Sequence, residues 1–133
     1  MRTIKFRAKK RNSDKWIYGN YAKMGVEDRE FIMEYHDIDS KELNRGEYQI
    51  TYTEVNPETV GQFTGLHDKN GKEIYEGDIC KCNGVFKIIW YDDWCRFAVV
   101  SANGCLFYNV EKDSAKYFEV IGNCHDNPEL LTN

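Results

Sequence analysis

Turn signals recur about every 10–15 residues along this chain, and no long amphipathic helix fits between them. Asn70-Gly71 and Asn103-Gly104 are the strongest. A tight hairpin needs positive φ at both central positions, and Asn-Gly tolerates this at least steric cost. The segments between turns read as strands. Ile4, Phe6 and Ala8 alternate with Lys5, Arg7 and Lys9, giving one apolar and one basic face. Asn12-Ser13-Asp14 turns the chain, and Trp16-Ile17-Tyr18 with Tyr21 returns it. Phe31-Ile32-Met33 reads as a short strand, the polar stretch from Tyr35 to Gly46 as a loop, and Tyr48–Thr53 as an alternating strand. Asn56-Pro57 opens one helical turn, with Asn56 as cap and Pro57 in the first position. Ile74-Tyr75 and Asp78–Cys80 flank a tight Glu76-Gly77 bend. Val85–Tyr91 should be a central strand, Asp92-Asp93 its turn and Trp94–Val100 its return, with Leu106–Val110 and Tyr117–Ile121 completing the set. The tail from Gly122 should be irregular.

This pattern predicts an all-β, mainly antiparallel fold: a small β-barrel, SH3-like or sandwich-like, with an added N-terminal hairpin and at most one or two short helical turns. At 133 residues a single domain over 1–133 is expected. Residues 1–55 would supply N-terminal strands and a variable insert, and 56–133 a barrel-like core. Such a chain buries a sizeable core without disulfides. No apolar run approaches 18 residues, and the opening residues have no apolar h-region. Neither a membrane span nor a secretory signal is expected.

Charge narrows the partners. Residues 1–20 hold Arg2, Lys5, Arg7, Lys9, Lys10, Arg11 and Lys15 against Asp14 alone. That is +6 for the segment, which leaves −10 for the remainder of a chain whose net charge is −4. The acidic whole repels phosphate at long range, so nucleic acid would need a concentrated local patch. Lys5, Arg7 and Lys9 would form that track, with Tyr18 or Tyr21 as stacking platform. The plainer reading is a basic strand laid against acidic neighbours.

Familiar catalytic constellations are missing. The sequence has no GxxxxGKS/T or GxGxxG phosphate loop, no HExxH and no GxSxG. His36, His67 and His125 lie far apart and read as surface residues. The five cysteines form no even framework, in keeping with a reducing compartment. Cys80 and Cys82 are two apart, so on a strand both thiols share a face and could meet one metal with Cys95, Cys105, Cys124 or His125. Without a second close pair they read better as small, half-buried hydrophobes. No cofactor, no metal site and no catalytic residue are expected.

The run Glu58-Thr59-Val60-Gly61-Gln62-Phe63-Thr64-Gly65-Leu66, followed by Asp68-Lys69-Asn70-Gly71-Lys72-Glu73-Ile74-Tyr75-Glu76-Gly77-Asp78-Ile79, resembles the signature of the YopX family. So do the closing Glu119-Val120-Ile121-Gly122-Asn123 with Asn127-Pro128-Glu129-Leu130-Leu131, and the opening Ile4–Ala8 with Trp16–Gly19. The resemblance covers nearly the whole chain except about residues 22–53. It departs from the family's usual tail at Cys124-His125. It implies a protein encoded by bacterial phages and prophages, β-rich and without established biochemical activity.

The central motif also has a structural explanation. Gly61 and Gly65 allow bends or close approach, Gly77 a tight turn, and Asp78 can accept turn amides. The alternative is a surface groove in which Asp68, Glu76 and Asp78 meet a ligand. The leading functional reading is a non-enzymatic module in the host cytoplasm that binds a host or phage protein or another copy of itself. Nine Tyr, seven Phe and three Trp exceed what the core clearly needs, so some rings should face a partner. Tyr91, Asp92, Asp93 and Trp94 form the best loop candidate, unless Trp94 folds back over the barrel mouth. For self-association, the uncharged strand Tyr48–Thr53 is the expected pairing edge. Nucleic-acid binding along Lys5, Arg7 and Lys9 is the alternative function, and no membrane partner is expected.

Overall fold

A computed structural model describes residues 2–25, 27–37 and 48–132. The chain divides into two compact units, an N-terminal one over Ile4–Val60 and a C-terminal one from Gly61 on.

The N-terminal unit is a four-stranded antiparallel meander. Its strands are β1 (Phe6–Lys9), β2 (Trp16–Met24), β3 (Arg29–Asp37) and β4 (Tyr48–Glu54), in the order β4-β3-β2-β1. The expected N-terminal hairpin is therefore half of a larger sheet. β3 runs on through Tyr35, His36 and Asp37, where polar composition predicts a loop; pairing with Ile50, Gln49 and Tyr48 supplies the hydrogen bonds that composition alone does not reveal. The rest of that expected loop, residues 38–47, lies outside the described residues. One face of the meander carries the core: Ala8, Ile17, Ile32 and Val55, with Phe6, Tyr21 and Val60 against them. The Tyr21 hydroxyl donates to Glu30, and burial together with that carboxylate pushes the phenol up to about 12. At one end the meander curls back on itself. Lys10 bridges Val55, Arg11 N–H donates to the Glu54 carbonyl at 3.0 Å, and Asn56 N–H donates to the Lys9 carbonyl at 2.9 Å. The predicted turn follows as a 3₁₀ turn over Pro57–Thr59, its Asn56 side chain accepting the Glu58 N–H.

The C-terminal unit contains a hairpin of β5 (Gly61–His67) and β6 (Glu73–Tyr75). It also holds a five-stranded antiparallel sheet built from β7 (Asp78–Lys81), β8 (Val85–Tyr91), β9 (Arg96–Ser101), β10 (Leu106–Asn109) and β11 (Glu119–Asn123). The sheet order is β10-β9-β8-β7-β11. Its core is Ile74, Cys80, Phe86, Ile88, Val99, Ala115 and Phe118. The Phe86 and Phe118 rings meet edge to face at 4.8 Å, an arrangement that stabilises beyond simple burial.

The all-β, mainly antiparallel class holds, but the sheets do not close into the expected barrel. Closure needs a steady stagger around every strand pair. Here the two outer strands of the five-stranded sheet are short, and each carries a register shift, between Leu106 and Tyr108 and between Val120 and Gly122. Bulges of this kind bend a strand out of its ladder. The expected one or two helical turns become four among the described residues: 3₁₀ turns at Pro57–Thr59, Asp92–Trp94 and Pro128–Leu131, and one α-helical turn at Lys112–Ala115. The α-helical turn is capped reciprocally by Glu111 and Ser114. A single turn is too short to leave a periodic apolar pattern.

Candidate functional site

The tip of the β8–β9 hairpin follows from its sequence. β8 is aliphatic and buried at Phe86 and Ile88, and its ladder with β9 runs unbroken to Tyr91–Arg96. Asp92, Asp93 and Trp94 then form the 3₁₀ turn, and Cys95 leaves it at φ 50°, ψ 46°. A non-glycine residue in that left-handed region is uncommon. The Cys95 thiol donates back to the Asp92 carbonyl at 3.3 Å.

Two aromatic pairs are fixed at this tip, each with its own carboxylate. Trp90 meets Phe97 edge to face at 5.1 Å, and Trp90 Nε1–H donates to Asp92 Oδ1 at 2.9 Å. Tyr91 meets Trp94 edge to face at 4.8 Å, and the Tyr91 hydroxyl donates to Asp93 Oδ2 at 3.2 Å. The Asp93 charge, its hydrogen bond and some burial raise the Tyr91 phenol above its ordinary value. Trp90 is 42% exposed and Trp94 43%. Trp94 thus packs on its own hairpin rather than over a barrel mouth, and half its ring remains available. Among the described residues neither Asp92 nor Asp93 has an ion-pair partner.

The sequence reading named Tyr91, Asp92, Asp93 and Trp94, and the structure brings them together. It missed Trp90 and Phe97. Counting outward from the Asp92-Asp93 turn would have found them, since they are direct cross-strand neighbours.

The acids of the central motif sit differently. Asp68 is buried, and its carboxylate accepts the amides of Asn70 at 2.8 Å, Lys72 at 2.9 Å and Val120 at 2.9 Å. Burial opposes its ionisation, but the three amides and Lys72 outweigh burial and hold the carboxyl below its usual value. Asp78 is 1% exposed and accepts the Tyr75 amide at 2.7 Å. Glu76 is pushed up by burial, offset in part by the Gln62 amide at 3.4 Å. These side chains hold β5, β6, β7 and β11 to one another. Gly61 fits the same account: a Cβ there would lie 2.6 Å from the Glu76 carbonyl oxygen.

The basic strand is less open than its alternation suggests. Arg7 is 7% exposed and lies 4.7 Å over the Trp16 ring. Lys9 is 5.6 Å from the same ring and 3.6 Å from Asp14. Lys5 is half-buried. Cys80 is fully buried, Cys82 and Cys124 are half-buried, and Cys95 and Cys105 are exposed. Among the described residues no three His, Cys, Asp or Glu side chains gather as metal ligands. His67 and His125 are exposed; the His36 side chain lies outside what is described. A hollow of about 380 Å³ at the opposite end of β8 is lined by Cys82, Asn83, Val85, Phe86, Ser101 and Tyr108.

These features define a two-unit, all-β protein built on open antiparallel sheets, with a hairpin tip of paired aromatics and carboxylates. A family model described as YopX protein matches residues 5–132, nearly the whole chain. The chain belongs to the YopX family. The crystal structure of protein EF1440 from Enterococcus faecalis is similar over 98% of this chain and 99% of that one, with a TM-score of 0.57 and 24% identity. That likeness shows the fold. No curated protein matches the chain.

Proposed function

We propose that this chain is a non-enzymatic protein-binding module that docks through the β8–β9 tip. One observation carries the reading: Trp90, Tyr91 and Trp94 are held by carboxylates and partner rings while much of Trp90 and Trp94 stays in water. Rigid, exposed aromatics lose little side-chain entropy on binding and are typical interface anchors. The unpaired charges of Asp92 and Asp93 favour a partner surface that presents Arg or Lys beside an apolar patch. Action in the bacterial cytoplasm on a host or phage protein, as an accessory protein of a phage or prophage, rests on the family resemblance.

The alternative, nucleic-acid binding through Lys5, Arg7 and Lys9, draws less support because Arg7 and Lys9 are engaged with Trp16. One experiment separates the two. The tagged chain is captured from prophage-induced host cells with and without nuclease, beside the Trp94→Ala variant. A protein that survives nuclease and is lost with Trp94→Ala supports the tip. Recovery that depends on nucleic acid and ignores Trp94→Ala overturns it.

A further inference from the structure

A second surface lies in the N-terminal unit, and its chemistry is independent of the tip. Strand β4 ends the meander, and among the described residues no strand pairs the outer side of Tyr48–Thr53. The direction of its free groups can be read from its neighbours. The Val55 N–H donates to the Glu30 carbonyl at 3.0 Å, in the same register that pairs β3 with β4. Backbone groups alternate along a strand, so odd-numbered residues of β4 point theirs at β3. Ile50 and Tyr52 therefore turn theirs outwards. The Glu54 carbonyl agrees, since it accepts Arg11 N–H from the outer side.

The side chains at these positions are also exposed and apolar. Ile50 is 49% exposed, Tyr52 50% and Tyr35, the cross-strand neighbour of Ile50, 58%. Residues 48–53 carry no charge. Natural edge strands are usually protected by lysines, prolines or bulges, and this one has none of them.

We infer that the outer edge of β4 pairs antiparallel with β4 of a second copy of this chain. Antiparallel pairing of a strand with itself is two-fold symmetric, the commonest geometry of homo-oligomers. A two-fold axis at Thr51 sets Ile50 of one copy opposite Tyr52 of the other. Both outward N–H and C=O pairs are then filled by four hydrogen bonds. On the open face each half gains a cross-strand row of Tyr35, Ile50, and then Tyr52 and Met33 of the second copy, since Met33 is paired with Tyr52 within each chain. No like charges meet across the axis, because residues 48–53 carry none and Glu54 at the end of the strand is already paired with Arg11 and Arg29.

The test is sedimentation equilibrium of the full chain from micromolar to about 500 µM, with backbone hydrogen exchange at both ends of the range. The expected mass rises from 15.6 kDa towards twice that value, and the amides of Ile50 and Tyr52 become at least tenfold more protected. A chain carrying Ile50→Lys and Tyr52→Lys should stay monomeric. Both side chains are solvent-facing, so the fold should survive. A mass fixed at 15.6 kDa at the top concentration overturns the inference. So does a dimer that persists in the double variant, or one that forms without protecting those two amides.

Discussion

Two sets of turn acids in the C-terminal unit show what decides whether a carboxylate serves the fold or a surface. Asp68 and Asp78 close turns beside β6 and are buried, each accepting backbone amides. Asp92 and Asp93 close the β8–β9 turn and are exposed, each accepting a side-chain donor on an aromatic ring. The residue type and its place at a turn are the same. The difference lies in the donors. A buried amide without an acceptor costs free energy, so the first pair is tied to stability. The second pair orients rings that water already reaches.

The largest effect expected from this contrast is at Asp68. Asp68→Ala removes a buried acceptor from three part-buried amides and should cost about 2–3 kcal/mol in denaturant unfolding. A loss below about 1 kcal/mol would dissolve the contrast. Next is Gly61→Ala, whose Cβ would press on the Glu76 backbone; about 1–3 kcal/mol of destabilisation is expected by the same assay. Gly71→Ala makes a useful comparison, because its Cβ would meet open space and the cost there comes only from its φ of +81°.

Protonation sharpens the comparison within the motif. The Asp68 carboxyl is lowered in the folded chain, so its contribution is present above the unfolded value and is lost as pH falls through the folded one. The Glu76 carboxyl is raised, so its contribution has the opposite sign: present in acid and lost as pH rises through its folded value. In the native chain, with stability measured from pH 3 to 8, Asp68 should therefore make it rise with pH along the acid limb, and Glu76 should make it fall as pH climbs through that group's folded value. Glu76→Gln should add a small gain at neutral pH and none in acid.

The smallest stability effect should be at the tip. Asp93→Asn should change unfolding by less than about 0.5 kcal/mol, and Trp94→Ala, which also loses the ring contact with Tyr91, by about 1 kcal/mol. Trp94→Ala should nevertheless abolish retention of a protein partner. A variant that unfolds as readily as Asp68→Ala would make the tip a folding element instead.

Much of the strand map was legible because turn chemistry is local. Asn70-Gly71, Asn103-Gly104, Glu76-Gly77 and Asn56-Pro57 each mark a turn that exists, though the expected positive φ falls on Gly71 and Gly104 and not also on Asn70 and Asn103. Tyr91–Trp94 was legible for the same reason. Tyr35–Asp37 was not, because its strand character comes from a partner strand and not from its own polar composition. The α-helical turn at Lys112–Ala115 was too short to show a period.

The sequence by itself therefore determined the all-β class, most turn positions, the family and the Tyr91–Trp94 part of the tip. All of these depend on intervals of a few residues. Only the tertiary structure decided that the sheet stays open, that Arg7 and Lys9 pack on Trp16, and that Asp68 serves Val120, which lies far along the chain. Those outcomes turn on which distant groups compete for a charge or a hydrogen bond. Alternation along a strand says which way a side chain points, but not what meets it there.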